Sequence, residues 1–245
     1  MTFTSPEADE ACFLLPVVDD RIHLIKRGTQ LHYGHWSMVG GKAEPRAPRQ
    51  QHHMSVPYLI EKMGGHKVLS VNDGIRENKG LEYNYETATR EACEELHSNK
   101  KYPEDFSPED FAHPTRFGPL RDHYKTSRGE GEAHLYFFMA KLQRRDFYPS
   151  KREVLAFEPL ERVPIGEPMV PITRAILLNL KIMLQEGVPF KNQQEYDLDR
   201  LKTELARPDL HLDRDEIERF NQRGCLVGIN CYRVLTNPDY DIEWP

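Results

Sequence analysis

Short apolar runs at residues 11–18 (ACFLLPVV) and 21–26 (RIHLIK), joined by Asp19-Asp20, predict two strands of a hairpin. Gly28 ends the second run, and the segment 32–39 then passes Tyr33 and Trp36 to reach the glycine pair Gly40-Gly41. Residues 45–80 break the rhythm with Pro45, Pro48, Pro57, His52-His53 and Gly64-Gly65. They read as a long insertion carrying a short helix near 57–63 and a strand near 67–71. From Tyr85 to His97 the apolar period becomes helical, because Ala88, Ala92 and Leu96 recur every four residues on one face. Further strands are predicted at 115–121, 134–142 (HLYFFMAKL) and 154–157, with loop chemistry over 125–132. Residues 172–185 form a strongly apolar helix. After Gly187 the helices are polar, over 193–206 and 213–222, and a strand-like stretch at 225–234 follows.

With 245 residues, 38% of them hydrophobic, the chain is long enough for one large packed domain with an appendage. A formal net charge of −6 argues against a dedicated nucleic-acid binder with a basic face. The four cysteines (Cys12, Cys93, Cys225, Cys231) form no CxxC pair and lack a nearby histidine at ligand spacing, so they suggest reduced thiols rather than zinc. The acidic start MTFTSPEADEACFLL lacks a signal-peptide core, and no apolar run approaches the length of a membrane span. A cytoplasmic protein with no membrane contact is the expectation.

The candidate chemistry lies in Glu82 and the cluster Arg90-Glu91-Ala92-Cys93-Glu94-Glu95. On a helix, Glu91, Glu94 and Glu95 sit at i, i+3 and i+4, so their carboxylates gather within one turn. Three like charges there repel unless a cation neutralises them, and hard oxygen donors suit Mg²⁺ or Mn²⁺. The competing reading is a solvated acidic face, which many surface helices carry. The neighbours shift the balance: Arg90 stands beside the acids, Glu82 lies eight residues before it, and Gly40-Gly41-Lys42 follows a strand upstream.

This arrangement resembles the motif of the Nudix hydrolase superfamily, Gly-x5-Glu-x7-Arg-Glu-U-x-Glu-Glu-x-Gly-U with U a bulky aliphatic. Gly41 matches the opening glycine, Glu82 the first glutamate, and Arg90, Glu91, Glu94 and Glu95 the centre. The likeness extends over about residues 10–186. It implies an α/β fold, an α/β/α sandwich with a mixed sheet, here with a C-terminal helical and strand extension. Residues 1–186 would be the hydrolase domain, with the insertion 45–80 inside it. Residues 187–245 would pack on that domain or on a partner subunit. Three departures stand out. Forty residues (42–81) replace the usual five, a change whose closure cost grows only slowly with length. His97-Ser98 replaces the closing Gly-U, and Ala92 is small for its place.

By the same resemblance, Glu94 and Glu95 would bind metal directly, joined by the Gly40 carbonyl. Glu91 would bind through water or act as base. Arg90 would hold Glu91, and Glu82 would pair with Arg90. A further glutamate from outside the motif is expected, with Glu153 and then Glu132 as candidates. Lys42 and Arg27 are candidates for phosphate contact, Tyr33 and Trp36 for stacking on a base, and Tyr124 and Lys125 for the rim of the substrate opening. Each of these also has an ordinary surface or core reading, and Trp36 has the stronger claim to the core. The expected reaction is Mg²⁺- or Mn²⁺-dependent pyrophosphohydrolysis, with two or more ions, of a small nucleotide such as an NTP, a dNTP or ADP-ribose. One alternative is an RNA 5′-end pyrophosphohydrolase or decapping enzyme, with Arg46, Arg49, Lys125 and Arg128 supplying a basic groove. Another is a catalytically silent nucleotide- or RNA-binding module, against which the retained acid triplet counts. A homodimer is compatible with the extension.

Overall fold

The computed structural model describes residues 9–29, 32–43, 84–96, 111–112, 120–126, 129–142, 147, 149, 152–190 and 192–222. The insertion 45–80, Glu82 and the stretch 225–234 lie outside the described residues.

The central strand β1 (Asp9–Val18) meets β2 (Arg21–Arg27) at the predicted turn. Asp19 and Asp20 both take positive φ (51° and 57°), the backbone of a tight two-residue hairpin link. The two strands pair only beside that turn, at Val17–Ile22 and Val18–Arg21, and then splay apart. Beyond it, β1 pairs antiparallel with β4 (Val39–Lys42) and parallel with β7 (Gly129–Lys141) from Asp9–Ala133 to Val17–Lys141. Strand β2 instead pairs with β3 (Trp36–Ser37) and with β8 (Val154–Pro159). β5 (Phe111–Ala112) and β6 (Leu120–Thr126) both join β7. The β6–β7 ladder runs from Leu120–Leu135 to Thr126–Gly129, so most of the 125–132 segment is paired strand and not loop. Its glycines and charges mimic loop composition, yet ladder hydrogen bonds need only backbone groups.

Side chains alternate across this mixed sheet and build two cores. Cys12, Leu14, Val18, Tyr136, Phe138 and Ala140 face one side, where Ala88, Ala92 and Leu96 of α1 (Asn84–Leu96) cover them. Leu15, Val17, Phe137 and Met139 face the other, under α2 (Pro171–Gln185) and its Ala175, Ile176, Leu177, Leu180 and Met183. Each such fully buried aliphatic side chain contributes roughly 1.5–3 kcal/mol. The result is an α/β fold with helices on both faces of one sheet.

Gly187 (φ 68°) ends α2, and Val188 N–H donates to the Met183 carbonyl at 2.8 Å, which turns the chain back along the second core. Helix α3 (Leu198–Leu205), capped by Asp197 onto Arg200 N–H, adds Leu201 and Leu205 to that core, and Leu210 and Leu212 follow. Helix α4 (Arg214–Gln222) opens with a capping box in which Asp213 and Glu216 exchange backbone bonds. Glu216 also pairs with Arg174 of α2. Glu204 of α3 reaches into the interior and accepts the Ile22 N–H at 2.8 Å. Residues 188–212 are thus integral to the packing of the second face. No helix among the described residues is long and apolar enough to cross a membrane.

Candidate functional site

Strand β4 delivers Gly40 and Gly41 to the face covered by α1, and each glycine is there for a different neighbour. A Cβ on Gly40 would stand 2.3 Å from the Cys12 carbonyl oxygen and 2.8 Å from Phe13 Cα, so backbone of β1 fills that space. A Cβ on Gly41 would stand 2.4–2.6 Å from the carboxyl atoms of Glu91. The carboxylate of Glu91 therefore rests directly on the glycine pair of β4. Close backbone approach of this kind is available to glycine alone.

Arg90 organises the surrounding charges. It is buried, and its Nη2 donates to the Lys42 carbonyl at 2.7 Å, tying α1 to the end of β4. Its Nη1 donates to Glu91 at 2.8 Å and to Glu94 at 3.1 Å. One guanidinium nitrogen thus serves both Glu91 and Glu94. Glu94 is the most open of the three acids, with 45% of its side-chain surface exposed. Glu95 is the most enclosed. Its Oε2 accepts the Gly40 N–H at 3.0 Å, and its Oε1 faces Arg27 Nη2 at 3.8 Å. Burial pushes the Glu95 carboxyl up to about 8, opposed by Arg27 and the Gly40 N–H and reinforced by the charges of Glu91 and Glu153. The acids also occupy the C-terminal half of a helix with no basic residue in its last turn, where the helix dipole disfavours negative charge.

Glu153, a candidate from sequence, joins this group through the β2–β8 pairing. The Gly28 N–H donates to its carbonyl at 2.7 Å, so its position is set by the end of β2, and its side chain is exposed. Arg27 lies at the same strand end, beside Glu95 rather than at a solvated rim. His32 and His35, absent from the sequence-level candidates, flank it. The His35 carbonyl accepts the Arg27 N–H, and the His32 imidazole is held below its usual range by burial, with His35 and Arg27 adding to the effect. Their signal was the loop glycine Gly34, whose N–H returns to the Arg27 carbonyl.

The remaining candidates separate clearly. Tyr33 is 64% exposed on the β2–β3 loop. Trp36 is buried, its ring in the second core under Lys26 and its indole N–H on Glu167 at 2.6 Å, which leaves no face for a base. Lys42 contributes its carbonyl to Arg90. Tyr124, Lys125 and Glu132 lie on the β6–β7 hairpin, and their side chains are outside the described residues, as is all of Glu82. Cys93 is buried and its thiol is pushed up to about 12, which removes it as a nucleophile.

Among the described residues no three carboxylates, imidazoles or thiols converge into a ready metal cage. Glu91 and Glu94 are drawn to Arg90, and Glu95 to Arg27 and Gly40. The donor set nevertheless fits a hard divalent cation. It is all oxygen, and the buried Glu95 carboxyl group has no cation in hydrogen-bond contact among the described residues.

No protein-family model and no curated protein matches the chain. Solved structures do. A MutT NUDIX hydrolase from Burkholderia pseudomallei is 18% identical, with 70% of this chain and 96% of that one covered and a TM-score of 0.37. A MutT protein from Methanosarcina mazei Go1 is 14% identical, with 77% and 100% covered and a TM-score of 0.42. A C. elegans Ap4A hydrolase is 14% identical, with 73% and 99% covered and a TM-score of 0.40. Each of these is a structure to which this chain is similar; the chain itself has a mixed sheet covered by helices on both faces and a glycine pair seated on an arginine-anchored acidic helix.

Proposed function

We propose that the protein is a Mg²⁺- or Mn²⁺-dependent pyrophosphohydrolase that cleaves a phosphoanhydride bond in a nucleoside di- or triphosphate derivative. NTPs, dNTPs and ADP-ribose are the substrate classes to which the reading applies. The observation that carries it is the seat of the Glu91 carboxylate on Gly41, held from the other side by buried Arg90. A surface acid needs neither a glycine beneath it nor an internal arginine beside it.

Glu94, Glu95, Glu91 and the Gly40 carbonyl are the donors that would hold the metal. When bound, such ions neutralise the diphosphate and make a water acidic enough to attack phosphorus. Arg90 fixes the direction of Glu91, since its Nη1 donates to that carboxylate while its Nη2 is anchored on the Lys42 carbonyl. Glu91 accepts the proton of the attacking water, with Glu153 as the acid from outside the motif. Arg27, Lys42 and Tyr33 are the described residues assigned to the nucleotide and its phosphates. The same reading takes residues 1–186 as the catalytic domain and 187–245 as an extension packed on it, in a cytoplasmic protein.

The test is a substrate panel with Mg²⁺, resolving nucleotide products alongside released phosphate and pyrophosphate. Hydrolysis of at least one nucleoside phosphoanhydride, abolished by EDTA and restored by Mg²⁺ or Mn²⁺, is expected. A panel with no turnover in either metal would leave the reading without support.

A further inference from the structure

The acid triplet is divided between two arginines, and sequence spacing accounts for only one of them. Arg90 serves Glu91 and Glu94 from within the helix, while Arg27 serves Glu95 from the far end of β2. The β2–β8 ladder shifts register between Lys26 and Arg27. The Arg27 backbone is then fixed on both sides, its N–H donating to the His35 carbonyl at 2.9 Å and its carbonyl accepting from Gly34 at 2.8 Å. Arg27 Nη2 stands 3.8 Å from Glu95 Oε1, with 17% and 5% of the two side-chain surfaces exposed. The buried Arg27 Nε has no hydrogen-bond partner among the described residues. The other Glu95 oxygen is taken by the Gly40 N–H. Arg27 is therefore the cation closest to Glu95 among the ion pairs of this carboxylate, and it is close without being hydrogen-bonded.

Resting on the metal reading above, we propose that Arg27 is a positioning residue that occupies the place of the metal's charge beside Glu95 and competes with the metal for it. The guanidinium keeps the buried carboxyl group correctly turned before a cation arrives. A cation that ligates Glu95 has to displace that contact. A site that must first open an internal contact binds with an affinity lowered by the fraction of time it is open. The loose 3.8 Å spacing suits this role, because a tight bidentate pair would hold Glu95 too firmly to yield.

The experiment measures Mn²⁺ binding to the full chain without nucleotide, by electron paramagnetic resonance of the free ion. Arg27→Gln should bind Mn²⁺ more tightly than wild type by about threefold or more, while Arg27→Lys, which keeps the charge, stays within about twofold. The gain should vanish in a Glu95 background, so that Arg27→Gln/Glu95→Gln binds no tighter than Glu95→Gln. A purely structural role for Arg27 would weaken binding in every neutral variant. Arg27→Met, which keeps the apolar stem, supplies the measurement if Arg27→Gln does not fold. Equal or weaker affinity in a folded neutral variant, with wild type binding Mn²⁺, overturns this inference alone. A wild type that binds no Mn²⁺ overturns the metal reading and this inference with it.

Discussion

Gly40 and Gly41 are adjacent, yet alanine at the two positions should fail in opposite ways. At Gly41 the new methyl would fall 2.4–2.6 Å from the Glu91 carboxyl atoms, the mobile end of a flexible side chain. The carboxylate can swing away, at the cost of its charge-assisted bond from Arg90, worth about 1.5–3 kcal/mol. Unfolding in urea should therefore move modestly. Turnover should fall by about 10²–10⁴, the usual contribution of a positioned general base, because Glu91 has left its seat. At Gly40 the methyl would meet the Cys12 carbonyl at 2.3 Å and Phe13 Cα at 2.8 Å, and the residue already holds φ 152°. Nothing there can swing away. Overpacking of this kind costs about 1–3 kcal/mol and strained backbone a similar amount again, together a large share of the roughly 5–15 kcal/mol that holds a protein folded. The assay pairs urea unfolding with Mg²⁺-dependent product release for both variants. A Gly41→Ala enzyme with wild-type turnover would refute the seating of Glu91, and a Gly40→Ala chain of wild-type stability would refute the packing of β4 on β1.

Three further outcomes are expected. Arg90→Ala removes the donor to Glu91, Glu94 and the Lys42 carbonyl, and breaking a buried pair costs about 3–5 kcal/mol, so it should melt about 6–20 °C lower; an unchanged melt would remove Arg90 from its organising place. Glu204 has its carboxyl pushed up to about 7, chiefly by burial and against the Ile22 N–H and Arg200. Its folded value lies above the ordinary 4.5, so its contribution is fully present below pH 4.5 and is lost as pH rises to 7. Relative to Glu204→Gln, wild type should lose about 3 kcal/mol across that window, and parallel pH profiles of urea stability in the two proteins would contradict it. A chain ending at Glu186 uncovers the core face that Leu201, Leu205, Leu210 and Leu212 fill, so it should be destabilised or insoluble; a truncated chain that unfolds at wild-type urea would show that this packing contributes nothing.

Much of this architecture is legible in local patterns. The four-residue recurrence of Ala88, Ala92 and Leu96 marks the covered face of α1, and the same helix aligns Arg90 with Glu94. The link Asp19-Asp20 marks the turn, but local pattern does not reveal that β1 and β2 part within two residue pairs to serve different neighbours. That choice belongs to β4, β7 and β8, which compete for the same backbone edges. The 125–132 segment misleads for the complementary reason: Gly129 and Gly131 sit in a ladder that backbone pairing alone sustains. Arg27 beside Glu95, and Glu204 under Ile22, are pairings between residues 68 and 182 positions apart. No periodicity joins such residues, and only the closed sheet brings them together. Glu153 could be suggested as an outside acid, but its coupling to Glu95 depends on the Gly28–Glu153 bond.

The central claim is that the acids of α1 perform phosphoanhydride hydrolysis, and it is tested most directly by turnover of Glu95→Gln at saturating Mg²⁺ on the best substrate of the panel. The substitution removes a charge without removing volume, and the amide oxygen can still accept the Gly40 N–H. Turnover lowered by about 10²–10⁴ in a protein with the wild-type circular dichroism spectrum is the predicted result. Near-normal turnover in that folded variant would contradict the account.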